Sequence, residues 1–163
     1  MIALSDPAVP TSRQPYHAVM GARASDAPKL ERSLRALVER VTKRSLAALL
    51  KTYRREGRSV RGVGLVVGSV IDPATIGNDH IRAHALEGQL FRTALEHAAR
   101  TARVACATYL ERTLYETAAT RLRRPAAELK RVVAELGGAL DGPWRAEEKA
   151  ATVAAWMALR RTH

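Results

Sequence analysis

The run VGLVVGSVI (63–71) is the feature that most restricts the fold of this chain. It is an almost continuous series of β-branched and leucine residues, closed by Asp72-Pro73. Such a run is typical of a strand that is buried on both faces. A second interior strand is predicted at VACATYL (104–110), and the residues from about 79 to 103 have helical apolar spacing. The order strand, helix, strand predicts two parallel neighbours with a right-handed crossover.

Helices are expected on both sides of this unit. Capping residues and apolar spacing predict them from Ser25 to Gly57, over about 114–137 with a break or junction near Arg124-Pro125, and from Pro143 to about Arg161. Four of the seven prolines lie in residues 1–28, which are predicted to form an N-terminal arm or strands. Residues 29–163 are predicted to form a single α/β domain, because the chain has the length of one ordinary domain.

The chain is strongly basic. Lys and Arg number 27 against 16 Asp and Glu, a formal net charge of +11. This excess favours an acidic partner, of which nucleic acid is the commonest, although a compositional bias toward Ala and Arg would also raise it. Duplex or branched nucleic acid is therefore the expected partner, held through phosphate contacts by two arginine groups: Arg54, Arg55, Arg58 and Arg61, and Arg121, Arg123 and Arg124.

The location expected from the sequence is the cytoplasm. Cys106 is the sole cysteine, so a disulfide framework is excluded and a reducing compartment is favoured. No apolar run approaches the roughly 18–20 residues that cross a bilayer. The N-terminus also lacks the basic start and apolar core of a signal peptide. No membrane association is expected.

Three polar residues extend the apolar stripe of the helix at 79–103 toward its start: His80, His84 and Glu87. Buried polar groups need partners, because an unpaired one costs roughly 1–3 kcal/mol. Two interpretations are open. Histidines at positions i and i+4 can ligate one metal ion, with Glu87 as a third ligand, or they can be satisfied side chains that hold the loop at 72–78.

Acidic side chains are expected at the carboxyl ends of the strands, where ligands of parallel sheets collect. Glu111 follows the strand at 104–110, and Glu147 begins the last helix on the same face as several alanines. An alanine face lets a helix lie close to a sheet. The alternative is that Glu147 and Glu148 only complement the helix dipole.

The chain contains, in order, VVGS (66–69), then YLERTLYETAATRL (109–122), then EEKAATVAAWMAL (147–159). In this order it resembles the RNase H-like nucleases, in particular the RuvC-type Holliday-junction resolvases and their YqgF relatives. The resemblance covers about residues 60–163 and implies a mixed sheet flanked by helices. It also implies a homodimer and two divalent ions, Mg²⁺ or Mn²⁺, held by carboxylates at Asp6, Glu111 and Glu147 or Glu148.

The chain departs from these nucleases at Gly68 and Ser69, where a resolvase has a glutamate. If the site is complete, His80, His84 or Glu87 supplies the missing ligand. The function predicted from the sequence is therefore metal-dependent hydrolysis of phosphodiesters in structured nucleic acid. Two alternatives stay open: a non-catalytic basic module that binds nucleic acid or protein, and a hydrolase that carries Zn²⁺ or another transition metal on the His80/His84 helix.

Overall fold

The computed structural model of the protein describes residues 2–160. The described chain is mostly helical and forms two compact units. We call residues 2–60 together with 71–103 the helical unit, and residues 61–70 together with 104–160 the sheet unit. No helix within residues 2–160 has the length and apolar character needed to cross a bilayer.

The helical unit consists of three α-helices and two short 3-10 helices. Their bounds are Pro10–Arg13 (3-10), Pro15–Met20 (α1), Ala27–Arg55 (α2), Pro73–Thr75 (3-10) and Asp79–Thr101 (α3). Helix α3 begins where the Asn78 side chain accepts a hydrogen bond from the backbone N–H of Ile81 at 3.0 Å. Helices α1, α2 and α3 pack on one another around Val38, Leu90 and Ala94.

The sheet unit contains two strands and three α-helices: Gly62–Val67 (β1), Ala105–Leu110 (β2), Leu114–Leu122 (α4), Ala126–Leu136 (α5) and Ala146–Leu159 (α6). The strands are parallel neighbours, in register from Gly62 opposite Ala105 to Val67 opposite Leu110. The largest fully buried side chains of the unit's core are Leu114, Leu129, Val133, Val153 and Met157.

Helix α6 lies directly on β1. A Cβ atom built on Gly64 would stand 2.8 Å from the Ala154 Cβ and 2.9 Å from the Ala154 carbonyl oxygen. The pairing of a glycine with an alanine therefore permits this close approach. The alanine face predicted for the last helix is confirmed at Ala154, which is fully buried, whereas Ala151 and Ala155 on the predicted face are exposed.

The predicted RNase H-like mixed sheet is wrong. The sheet has two strands within the described residues, and most of the chain is helical. The apolar run at 63–71 is strand only as far as Val67, and Val70 and Ile71 at its end are exposed. The crossover helix α3 packs with α1 and α2 in the helical unit, so the fold is not a single layered α/β domain.

The local predictions fared better. The parallel pairing of the two strands is confirmed, as are the helices at Ala27–Arg55 and Asp79–Thr101. The helical region at 114–137 is divided into α4 and α5 at Arg123, whose φ of 54° is left-handed and ends α4. The segment YHAVM is helical, in α1. Met1 and Arg161, the predicted end of the last helix, lie outside the described residues.

Candidate metal centre

Three imidazole rings meet in the helical unit, His17 from α1 and His80 and His84 from successive turns of α3. Their potential ligand atoms all lie within 4.8 Å of one another. The ring centroids are 4.3 to 4.8 Å apart. Within residues 2–160, no other group of three or more His, Cys, Asp or Glu side chains was found to be close enough to hold a metal ion. We call these three residues the histidine cluster.

Glu87 holds the first of these rings. Its Oε1 atom accepts a hydrogen bond from Nδ1 of His17 at 2.9 Å and another from the backbone N–H of His17 at 3.3 Å. The Glu87 side chain is only 7% exposed. Because an ionised carboxylate only accepts hydrogen bonds, the hydrogen of His17 is placed on Nδ1, which leaves a lone pair on Nε2.

The free nitrogen of His17 faces the second ring. Its Nε2 atom is 3.2 Å from Nδ1 of His80. Two imidazole nitrogens that bind one tetrahedral zinc ion at 2.0–2.1 Å lie about 3.3 Å apart. The observed separation therefore suits a shared ion, and without an ion the same two atoms form a hydrogen bond.

The third ring, that of His84, lies on the solvent side. Its Nδ1 atom is 3.6 Å from Oε2 of Glu87, which is too far for a hydrogen bond. The His84 side chain is 53% exposed, and His80 is exposed as well. A metal ion held by the cluster would therefore keep a face open to water or to a substrate.

The packing of α1 brings His17 to this place. Helix α1 begins at Pro15, and the Tyr16 ring packs against the core of the helical unit. Burial raises the pKa of the Tyr16 phenol, with Arg35 opposing the shift and Glu31 adding to it. Tyr16 is therefore neutral near pH 7, and it fixes the backbone from which His17 reaches α3.

The predicted residues of α3 are brought together, but not in the predicted way. Glu87 is buried, whereas His80 and His84 are exposed rather than inward-facing. The loop at 72–78 is held by other groups: Arg82 donates to the carbonyl oxygen of Ile76 at 3.1 Å, and Asp72 caps the backbone of Ala74. Within the described residues, His80 contacts His17 of α1 and His84 faces Glu87 of α3, so the interpretation of these histidines as loop anchors gains no support.

The predicted catalytic carboxylates have local partners or stand exposed. Asp6 of the helical unit accepts a hydrogen bond from the backbone of Ala8, and Glu148 accepts one from the backbone of Arg145 at the start of α6. Glu111 and Glu147 are exposed residues of the sheet unit. None of the four belongs to the histidine cluster, and their catalytic role stays a prediction.

The predicted arginine groups are divided between the units. Arg54 and Arg55 end α2, and Arg58, which pairs with Glu56, follows them in the helical unit. Arg61 and Arg121 line one pocket of the sheet unit. In the same unit Arg124 pairs with Glu128, and Arg123 ends α4.

Sequence reasoning missed His17, although a signal for it existed. A buried carboxylate such as Glu87 needs a hydrogen-bond donor, and the chain has only five histidines. The segment PYHAVM also begins with proline, which is favoured in the first turn of a helix. Reading that segment as a helix would have made His17 a candidate partner.

Comparisons of the chain with protein-family models, with curated proteins and with solved structures found no match. No relative therefore bears on the resemblance to RNase H-like nucleases. The chemistry of the histidine cluster and the charge of the surrounding helices carry the functional inference instead.

Proposed function

We propose that the protein is a zinc-dependent hydrolase whose ion is bound by His17, His80 and His84. The observation that carries this proposal is the convergence of three imidazoles within 4.8 Å, one of them oriented by a buried carboxylate. Three protein ligands with one open position are typical of catalytic zinc, whereas structural zinc has four protein ligands. The exposure of His80 and His84 supports an open position.

The donor set favours zinc over magnesium. Imidazole nitrogen suits Zn²⁺ and its neighbours in the transition series, while Mg²⁺ prefers carboxylate, carbonyl and water oxygens. The Mg²⁺ or Mn²⁺ expected from the resemblance would need the carboxylates of Asp6, Glu111 and Glu147, and these do not belong to the cluster. Zinc is therefore the ion we assign to the proposal.

Glu87 and the histidines of the cluster would have different roles at the metal site. Glu87 fixes the tautomer and the orientation of His17 and makes the ring a better ligand, as carboxylates behind ligating histidines do. His80 and His84, one turn apart, present their rings from the rigid backbone of α3. Bound there, zinc would supply Lewis acidity and lower the pKa of a water ligand to about 7.

Helix α2 supports nucleic acid as the substrate. It carries nine lysine and arginine side chains against two glutamates, and all nine are exposed. It packs with α1 and α3, the helices that hold the histidine cluster. We therefore propose phosphodiesters of duplex or branched nucleic acid as substrates, in a cytoplasmic protein that acts as a monomer or a homodimer.

The second candidate function is a module that binds nucleic acid without cleaving it. The same basic face of α2 favours it, because phosphate contacts supply affinity whether or not a reaction follows. In this case the histidine cluster would be a structural or regulatory metal site. Hydrolysis assays separate the two candidates.

The primary experiment measures zinc binding to protein that has been dialysed against a chelator. Calorimetric titration is expected to show one Zn²⁺ per chain, and substitution with Co²⁺ should produce visible bands typical of a low-coordinate nitrogen site. His84→Ala should weaken zinc binding by more than about tenfold, since it removes a ligand rather than a neighbour of one. His97→Ala is the matched control, because His97 is exposed on the same helix and outside the cluster.

Hydrolysis is then assayed with the zinc-loaded protein on branched, duplex and single-stranded substrates. Cleavage that His84→Ala abolishes and His97→Ala retains would support the hydrolase. Zinc binding without cleavage on any substrate would overturn it in favour of the binding module. Equal zinc affinity in His84→Ala and His97→Ala would show that the histidine cluster does not bind the zinc ion.

A further inference from the structure

A pocket of about 550 Å³ lies within the sheet unit, apart from the histidine cluster. The start of β1, the strand β2, Arg121 of α4 and the end of α6 form its walls. Its size falls in the range of about 300–1,000 Å³ that is usual for sites of small ligands. Apolar side chains, among them Val63, Ala107 and Met157, make up much of its lining.

All of the charged side chains that line this pocket are positive. They are the arginines Arg61, Arg121 and Arg160, and the residues that line the pocket include no Asp or Glu. The guanidinium of Arg121 lies 6.0 Å from the centroid of the Tyr109 ring and donates to the Tyr109 hydroxyl at 3.1 Å. Arg160 donates to the carbonyl oxygen of Arg121 at 2.7 Å. These contacts hold the guanidinium groups of Arg121 and Arg160 in position, and most of their N–H donors stay available to a ligand.

Two other arginines of the same unit have carboxylate partners. Arg124 pairs with Glu128 at 2.6 Å, and Arg131 pairs with Glu135 at 2.9 Å, each along one helix. Within residues 2–160 no carboxylate pairs with any of the three pocket arginines. Three uncompensated cations at one concave surface repel one another, and an anion would relieve that repulsion.

We infer that this pocket binds a phosphate monoester whose organic body lies on the apolar lining. The forked guanidinium groups match phosphate oxygens, and a monoester is close to a dianion at pH 7. A phosphodiester carries a single charge and would compensate the three arginines less well. The same chemistry occurs in a free mononucleotide and at the 5′-phosphate end of a nucleic-acid strand.

The experiment compares probes that differ in the phosphate alone. Adenosine monophosphate and adenosine are titrated calorimetrically, and fluorescence anisotropy follows a short oligonucleotide with a 5′-phosphate or a 5′-hydroxyl. At least one phosphorylated probe is expected to bind about tenfold or more tightly than its unphosphorylated counterpart, as for the gain of charge-assisted hydrogen bonds. Tighter binding of the monophosphate would identify a free metabolite as the source, and tighter binding of the phosphorylated strand would identify a strand end.

Arg61→Gln tests the pocket itself. Arg61 is exposed and makes no hydrogen bond or ion pair within residues 2–160, so the variant should fold as the parent does. Its affinity for the phosphorylated probe should fall by about tenfold. Arg112→Gln is the matched control, since Arg112 is an exposed arginine of the same unit outside the pocket. Equal losses in the two variants, or no preference for a phosphorylated probe, would overturn the inference.

The inference does not depend on the proposed hydrolase. The pocket belongs to the sheet unit and the histidine cluster to the helical unit, so each can fail alone. His84→Ala should leave the affinity for the phosphorylated probe unchanged, and Arg61→Gln should leave zinc binding unchanged. Thermal melting curves confirm that each variant is folded.

Discussion

Glu87 is a buried carboxylate whose two oxygens both face histidines. One oxygen accepts from His17 at 2.9 Å, and the other lies 3.6 Å from His84. A carboxylate in this position has two effects. It stabilises the packing of α1 on α3 through a charge-assisted hydrogen bond, and it orients the ring that would bind the metal.

We predict that Glu87→Gln weakens zinc binding by about 10–100-fold, the usual loss when a carboxylate behind a ligating histidine is removed. The glutamine keeps the shape of the side chain but not its charge, so the orientation of His17 is held less firmly. Calorimetric zinc titration measures the loss, with Glu39→Gln on the exposed face of α2 as the control. If Glu87→Gln lowers the melting temperature and leaves zinc affinity intact, Glu87 is structural only.

Zinc should also stabilise the folded chain. A ligand that binds only the native state at 100 times its dissociation constant adds about 2.7 kcal/mol to the free energy of unfolding. We predict a rise in melting temperature for the parent protein with zinc and none for His84→Ala. Acid should remove the effect, because an imidazole must be neutral to bind a metal ion. A rise of equal size in His84→Ala would place the ion elsewhere.

Sequence spacing identified two of the three histidines of the cluster for a physical reason. His80, His84 and Glu87 lie within two turns of one helix, where the 3.6-residue period places them on neighbouring faces. His17 is 70 residues from Glu87 and 63 from His80 along the chain. That contact depends on how α1 packs against α3, which local periodicity does not encode. The burial expected of the two histidines was wrong as well: His80 and His84 are exposed, and only Glu87 of the three polar residues is buried.

At the scale of elements, helix α6 lies against the backbone of β1 with no room for a side chain at Gly64. The Ala154 carbonyl oxygen lies 2.9 Å from the place that a Cβ on Gly64 would occupy, and this atom belongs to backbone that cannot rotate away. A larger residue at position 64 would therefore push the helix from the strand.

We predict that Gly64→Ala lowers the free energy of unfolding by about 1–3 kcal/mol, the usual cost of overpacking. For a chain of this size the melting temperature should fall by about 2–4 °C per kcal/mol. Gly68→Ala is the matched control, because a Cβ at Gly68 meets nothing within 4 Å. A similar loss in both variants would mean that the effect comes from the backbone of glycine and not from the helix contact.

The strands and helices could be predicted from the sequence, but the number of strands in the sheet could not. The apolar run beginning at 63 correctly indicated a strand parallel to the one at 105–110. A run of apolar residues shows that a strand is covered, but it does not distinguish cover by further strands from cover by a helix such as α6. Val70 and Ile71 lie beyond the end of β1 and are 55% and 56% exposed, so part of the run that suggested a larger sheet is not buried at all.

For the whole molecule, the net charge of +11 is unevenly distributed. Helix α2 holds nine basic and two acidic side chains over 29 residues, a length of about 43 Å at 1.5 Å per residue. Arg40, Lys43 and Arg44 share one exposed face at the spacing of a helical turn. A basic face of this length suits the phosphates along a nucleic-acid backbone. A compositional bias toward Arg explains it less well, because such a bias would not concentrate the basic residues on one helix.

We predict that duplex DNA binds with an affinity that falls steeply with salt, and that a triple change of Arg40, Lys43 and Arg44 to Gln reduces the salt dependence. Each lost phosphate contact lowers the slope of log affinity against log salt by about 0.9, so the slope should fall by about 2–3. The control changes Arg13, Arg23 and Arg112 to Gln, which removes the same charge from exposed positions outside α2. Filter binding at several salt concentrations measures both slopes. Equal reductions would mean that net charge alone attracts the DNA, and weak binding without salt dependence would exclude nucleic acid as the partner. A slope that falls only in the α2 variant would identify that helix as the surface that brings a phosphodiester to the helical unit, where the histidine cluster lies.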